Sequence, residues 1–191
     1  VGRALQARLA AEGWSIVVLS RRPGPDEIGW DGRSAGPWAR HLAGADAIVN
    51  LCGASVGTRP WTPGRRRELR RSRLEPTRAL VTVMTALPAT ERPRVLVNAS
   101  GTDRYAGLGD APAAEDAPAA DSFLARLCAD WEAEAEAARP LGVRVVHARM
   151  SLVVAPGAPA VRLLALPARL GFGGPIGSGR QWVTWVDIAD A

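Results

Sequence analysis

Lysine is absent from this 191-residue chain, so all 24 basic residues, set against 19 acidic ones, are arginine. Together with abundant Ala, Gly and Pro, this reads as a coding bias toward Arg rather than selection for a basic surface. The formal charge of +5 therefore does not by itself imply a nucleic-acid partner. The one dense cluster, Arg65, Arg66, Arg67, Arg70, Arg71 and Arg73, spreads around a helix, and no aromatic residues interleave to stack on bases. A solvated helix face is expected there, and no nucleic acid. Cysteine is scarce as well: Cys52 and Cys128 stand in unrelated contexts, which excludes a disulfide framework or a metal site of recognisable spacing and fits a reducing cytoplasm. The two histidines, His41 and His147, are isolated, and the second lies within a buried-strand pattern that favours a structural role. No apolar run reaches the roughly 18 residues of a membrane span, and no signal peptide is visible, so neither insertion nor secretion is expected.

What the chain does contain is an order of elements. Residues 1 to 12 carry Val1, Leu5 and Leu9 at the four-residue spacing of one helix face, with Gly13 as the stop. Ser15 to Leu19 is a β-branched run suited to a buried parallel strand, followed by Ser20-Arg21-Arg22-Pro23. Helix, then strand, then a polar residue is the second half of a dinucleotide-binding unit. In that setting Gly2 is the last glycine of a phosphate loop, where a missing side chain lets the helix approach the sheet and present its amide end to a pyrophosphate. An acidic residue after such a strand accepts from an adenosine ribose, whereas arginine pairs bidentately with a 2′-phosphate. Arg21 and Arg22 therefore point to NADP, with NAD less favoured. The alternative is a solvated basic turn before Pro23.

Further on, Ile28-Gly29-Trp30 reads as a short strand in a Gly-, Pro- and Trp-rich stretch, and 46–51 as a second buried strand turned by Cys52-Gly53-Ala54. Residues 63 to 87 form a long helix in which Pro76 predicts a kink or restart. Arg94 to Ser100 is the next strand. A Pro- and Asp-containing loop then leads to an amphipathic helix from about Ser122 to Ala138 with Phe123, Leu127 and Trp131 on one face, and Val143 to Arg149 is a further strand. Alternating strands and helices without hairpin signals predict an α/β fold with a doubly wound parallel sheet, in which ligands lie over the carboxyl ends of the strands. The segment from Leu152 onward is looser.

Several stretches in order carry a family resemblance: Ile48-Val49-Asn50-Leu51-Cys52-Gly53-Ala54, Arg59-Pro60-Trp61-Thr62, Ser72-Arg73 with Thr77, and Val97-Asn98-Ala99-Ser100. Leu127-Cys128-Ala129-Asp130-Trp131-Glu132 and Gly173-Gly174-Pro175-Ile176-Gly177-Ser178-Gly179-Arg180-Gln181 complete the set. With these the chain resembles the extended short-chain dehydrogenase/reductase superfamily, and within it an atypical NAD-dependent epimerase/dehydratase branch, sugar-nucleotide epimerase-like. The resemblance implies a Rossmann domain over residues 1 to 155, incomplete at its N-terminal end, and the beginning of a substrate-binding lobe over 156 to 191. It implies that Leu51, Gly53, Ser100, Met150 and Ser151 lie along the cofactor, joining Gly2, Arg21 and Arg22. Arg73, Arg180 and Gln181 become candidates for an anionic small-molecule substrate, with surface solvation the alternative.

Ordinary superfamily members use a Ser-Tyr-Lys set, in which tyrosine and lysine one helical turn apart reach one ligand. Here the lysine position aligns with Cys128 and the tyrosine position with Leu124, while the only tyrosine, Tyr105, follows Ser100 in a loop. The available proton-handling groups are therefore Ser100, Tyr105 and Cys128. Ser100 sits at a strand end facing the crevice, with local backbone capping as its other reading. Tyr105 has only arginines as helpers, and for Cys128 core packing stands ahead of a site role. Two functions remain open: an NADP(H)-binding epimerase or oxidoreductase acting on a small molecule, with a homo-oligomer possible, or a regulatory or scaffold protein that kept the nucleotide site and lost catalysis. Without a strand ahead of Gly2, the strands at 16–19 and 48–51 are expected to flank a gap. Residues 1 to 191 alone are then expected to aggregate and to bind no NADP(H).

Overall fold

A computed structural model describes residues 1–57, 59–105, 110–175 and 177–191. Of the residues singled out above, Ile176 and the loop positions 106–109 lie outside the described residues. Every strand ladder is parallel, as the alternation of strands and helices predicts. Helix α1 (Gly2–Ala11) is followed by Gly13, whose φ of +84° supplies the left-handed turn after the helix. Leu5 and Leu9 are only half-buried and no residue of α1 is fully buried.

Strand β1 (Leu19–Ser20) pairs with β2 (Ile28–Gly29), so the strand expected over Ser15 to Leu19 is realised only at its end. The reason is pairing: β2 is its one ladder partner, two residues long, and Val17 is left 52 % exposed. Strands β3 (Ala47–Asn50), β4 (Val95–Gly101) and β5 (Arg144–Met150) form the main sheet in the order β3-β4-β5. Among the described residues β3 is an edge strand joined to β4 and not to β1, and Val49 is 40 % exposed. The strands β1 and β3 are thus left unpaired with one another as the expected gap requires, although β3 is less buried than its apolar run suggests.

Between β3 and β4 runs α2 (Pro63–Ala86), started by Pro63 and by Thr62, whose hydroxyl oxygen accepts from the Arg65 amide at 3.2 Å. The helix continues through Pro76 without a restart. Pro76 has no N–H for the preceding turn, and one residue on, the Thr77 hydroxyl donates to the Arg73 carbonyl at 2.8 Å. Between β4 and β5 lies α3 (Phe123–Glu136), capped by Ser122, whose Oγ accepts from Ala125 N at 3.0 Å. The apolar face predicted for it is buried at Leu127 and Trp131 and packs on Leu69, Leu74 and Ala99. Ion pairs Arg70–Asp130 and Arg78–Glu134 join α2 to α3. The arginine cluster is accordingly split: Arg66, Arg67, Arg70 and Arg71 are exposed as expected, whereas Arg65 is buried and Arg73 turns inward.

A second core region gathers Leu80, Val83 and Met84 of α2 around Leu96 of β4 and Val145 of β5, with Trp30 and Trp38 alongside. The two indoles lie 4.6 Å apart and both donate to the Ser34 carbonyl, at 3.1 and 3.0 Å. Beyond β5 the chain is more regular than its composition suggested. Strand β6 (Leu152–Val154) pairs with β7 (Trp185–Asp187), and α4 (Pro159–Arg169) lies between them, with Leu163, Leu164 and Leu166 exposed. Pro167 inside it hid the helical period from the sequence reading.

Candidate functional site

The parallel arrangement sends the carboxyl ends of β3, β4 and β5 the same way, and the candidate residues on them follow from that. Gly2 opens α1 opposite Leu51, so that a Cβ on Gly2 would lie 3.6 Å from Leu51 Cδ1. No side chain caps the first turn of α1, and its leading amides remain available to an anion. Arg21 and Arg22 are exposed at the end of β1, and neither guanidinium has a carboxylate partner among the described residues. Arg21 reaches toward β3: burial pushes the Cys52 thiol pKa up, and the charge of Arg21 opposes it.

Gly53 is held for a different reason. A Cβ there would meet the Arg73 guanidinium carbon at 3.2 Å, so the missing side chain makes room for the arginine. Arg73 donates to the carbonyls of Leu69 and Ala54, each at 3.1 Å, and lies 5.2 Å over the Trp131 ring. The structure thus places this substrate candidate as a strut between α2 and the loop after β3. Met150 packs beside Leu69 and Trp131 and, with Ser151, ends β5, both half-buried. Arg180 and Gln181 lie on an exposed turn, where the Arg180 amide donates to Ser178 Oγ at 3.3 Å. The neighbouring segment reaches the loop after β4 through Thr102 and Thr184, 3.2 Å apart, and through the Trp182 indole on Asp110 at 2.7 Å.

Beneath these ends lies a buried polar network that the sequence reading did not assemble. Asn50 and Asn98 occupy paired positions on β3 and β4. Asn50 Nδ2 donates to Asn98 Oδ1 at 2.7 Å and to Thr77 Oγ1 at 2.9 Å, and Trp131 Nε1 donates to the same Thr77 oxygen at 2.9 Å. Asn50 Oδ1 accepts from the Cys52 amide at 3.2 Å and so fixes the loop that carries Gly53. Each partner comes from a different element, which is why only the fold brings them together.

Above it, Ser100, Tyr105 and Cys128 do converge, through residues that the sequence reading passed over. Ser100 donates to Glu132 Oε1 at 2.7 Å. Arg149 grips Glu132 bidentately, Nε to Oε1 at 2.8 Å and Nη2 to Oε2 at 2.9 Å, and its Nη1 donates to the Tyr105 hydroxyl. Tyr105 in turn donates to the Glu115 carbonyl at 3.3 Å. Arg104 lies 3.4 Å from Glu132 Oε2. Gly101 allows the approach of α3, since a Cβ there would lie 3.4 Å from Cys128 Sγ and 3.3 Å from Asp103 Oδ2. Burial, then the Asp103 charge, pushes the Cys128 thiol pKa up, with Ser100 and the Gly101 backbone opposing. Burial likewise raises the Asp103 carboxyl, with Arg73 opposing. The one available signal for Glu132 was its place four residues after Cys128, a charge on the apolar face of α3.

Burial works against ionisation of Glu132, but hydrogen bonds from Arg149 and Ser100 and the charges of Arg149 and Arg104 outweigh it and hold the carboxyl below its usual 4.5. A folded-state value below the unfolded one gives stability that is present above the unfolded value and lost as pH falls through the folded one. Acid titration of unfolding free energy below pH 4.5 should therefore be shallower in Glu132→Gln than in the parent. Equal slopes would show that Glu132 contributes nothing to acid sensitivity.

Parallel ladders alternating with helices, with a polar cluster at the ends of β3, β4 and β5, define a Rossmann-type α/β fold. The sequence model of the NAD dependent epimerase/dehydratase family matches residues 1–191, and the chain belongs to that family. It is similar to an epimerase family protein of Mycobacterium bovis, 34% identical over 192 residues, covering 100% of this chain and 62% of that protein. The crystal structure of human epimerase family protein SDR39U1 (isoform 2) with NADPH superposes with a TM-score of 0.82 at 36% identity, over 99% of this chain and 63% of the human one. A nucleoside-diphosphate sugar epimerase from Corynebacterium glutamicum gives a TM-score of 0.83 at 29% identity, over 99% of this chain and 39% of that one. The chain thus spans less than two thirds of the length of these relatives. Among the described residues no helix is long and apolar enough to cross a membrane.

Proposed function

We propose that the protein binds NADP(H) across the carboxyl ends of β1, β3, β4 and β5 and acts as an epimerase- or oxidoreductase-type enzyme on a small molecule, without a tyrosine–lysine pair. The observation that carries the cofactor choice is the pair Arg21 and Arg22, exposed beside an uncapped helix start and without carboxylate partners among the described residues. The human relative solved with NADPH supports the same choice. When bound, the nicotinamide supplies hydride transfer. The chain's own part is to hold the phosphates at Gly2, Arg21 and Arg22, to line the path with Leu51, Gly53, Met150 and Ser151, and to present Ser100 and Tyr105 at the reacting end.

A second reading, nucleotide binding without turnover, draws on one observation: both Ser100 and Tyr105 have their protons committed inside the protein, to Glu132 and to the Glu115 carbonyl. Titration of the protein made from its complete reading frame with NADPH and NADH tests the cofactor choice. Tighter NADPH is expected, and equal affinities or tighter NADH would overturn it. Loss of turnover in Ser100→Ala exceeding that in Cys128→Ala is the expected mark of an enzyme, and a protein that binds NADPH but reduces no carbonyl acceptor is the mark of the second reading.

A further inference from the structure

Ser100 on β4 and Arg149 on β5 are paired positions of adjacent strands, so their side chains leave the sheet on one face. Glu132 meets them from α3 and is 5% exposed. A carboxylate that deep is costly unless its lone pairs are used, and here they are: Ser100 Oγ and Arg149 Nε lie on Oε1 at 2.7 and 2.8 Å, and Arg149 Nη2 lies on Oε2 at 2.9 Å. Ser100 has one hydroxyl proton, and an ionised carboxylate can only accept. The proton is therefore directed inward, and what Ser100 has left for a ligand is oxygen lone pairs. Arg149 also holds the hydroxyl of Tyr105, with its guanidinium carbon 5.3 Å from the ring centroid. One ion pair thereby sets the orientation of two of the three candidate proton-handling residues.

We propose that Glu132, locked by Arg149, is a positioning residue that makes Ser100 a hydrogen-bond acceptor for the carboxamide N–H of a bound nicotinamide. The proposal rests on the NADP(H) reading above. A Ser100 free to rotate could donate to the carboxamide oxygen or accept from its nitrogen, whereas a Ser100 committed to Glu132 can only accept. The same device separates the two ends of the cofactor: Arg21 and Arg22 recognise the phosphate, and Ser100 the ring.

The test compares NADP⁺ with its 3-acetylpyridine analogue, which keeps the ring carbonyl and replaces the N–H₂ donor by methyl. Affinities are measured by equilibrium titration of the protein made from its complete reading frame, and unfolding temperatures on the same samples. The parent is expected to bind NADP⁺ about three- to tenfold tighter than the analogue, the worth of one neutral hydrogen bond. Ser100→Ala should bring the ratio close to one. Glu132→Gln should do the same. Arg149 donates to both carboxylate oxygens, so the amide NH₂ must face one of its N–H groups. The orientation that keeps the carbonyl on Arg149 Nη2 and Arg104 turns the NH₂ to Ser100, whose proton is then free for the ring carbonyl that both nucleotides carry. The double variant should show no further change, as expected for a residue acting through another. A ratio near one in the parent, or one retained in Glu132→Gln whether or not its unfolding temperature falls, would overturn the proposal while leaving the cofactor reading intact. A parent that binds neither nucleotide would overturn the cofactor reading and this proposal together.

Discussion

Thr77→Val is expected to destabilise the protein by about 2 to 6 kcal/mol, because it leaves two buried donors without their acceptor at about 1 to 3 kcal/mol each. Thr77 is fully buried, and its Oγ1 takes the Asn50 amide and the Trp131 indole at 2.9 Å each. Valine keeps the shape, so no cavity forms, but it replaces the whole hydroxyl, and the Arg73 carbonyl loses its donor as well. Thr77→Ser is the control. It keeps the hydroxyl and loses one methyl, for about 1 kcal/mol. The loss should reach the site, since Asn50 also holds the Cys52 amide at 3.2 Å and through it the Gly53 loop. Denaturant unfolding of the parent and both variants measures the difference, and a Thr77→Val midpoint equal to that of Thr77→Ser would refute the account of the network.

Arg21→Ala should weaken NADPH by about 1 to 3 kcal/mol, roughly five- to 150-fold, if one charge-assisted phosphate contact is lost. NADH should change little, since it lacks the 2′-phosphate. The side chain has no carboxylate partner among the described residues, so its removal breaks no ion pair and fold stability should be unaltered. Its reach toward Cys52 places it between the ends of β1 and β3, where the adenosine half of a dinucleotide lies in this fold. Parallel titrations with the two nucleotides decide it. An equal loss for both would assign Arg21 to the shared pyrophosphate instead, and no loss for either would remove it from the site.

The local part of this fold was open to reading because its causes are local. Ser122 caps α3, Thr62 and Pro63 start α2, and β-branched runs mark β4 and β5, each set by residues within a turn or two of one another. The unpaired edge of β3 follows from the gap expected beside it, whereas the extent of β1 was not legible, because strand length depends on what lies alongside. Helix α4 was missed because Pro167 interrupts its pattern, although Pro159 stands at the first position, where proline starts a helix.

The site divides along the same line. The sequence by itself determined the chemistry available: no lysine, one tyrosine, a serine at a strand end, two arginines after the strand that follows α1, and an order of motifs that points to one family. Only the tertiary structure decided which of those groups meet. It set Arg73 against Gly53 and the Leu69 and Ala54 carbonyls, joined Asn50 to Asn98 through a register shared by two strands, and set Glu132 and Arg149 between Ser100 and Tyr105. Arg149 and Glu132 are 17 residues apart, and Ser100 and Glu132 are 32 apart. Helical or strand periodicity relates residues a few positions apart, whereas the pairing of a charge with its partner follows from strand register and from which helix crosses which strand. Those are long-range outcomes of packing, which propensity and spacing along the chain do not encode.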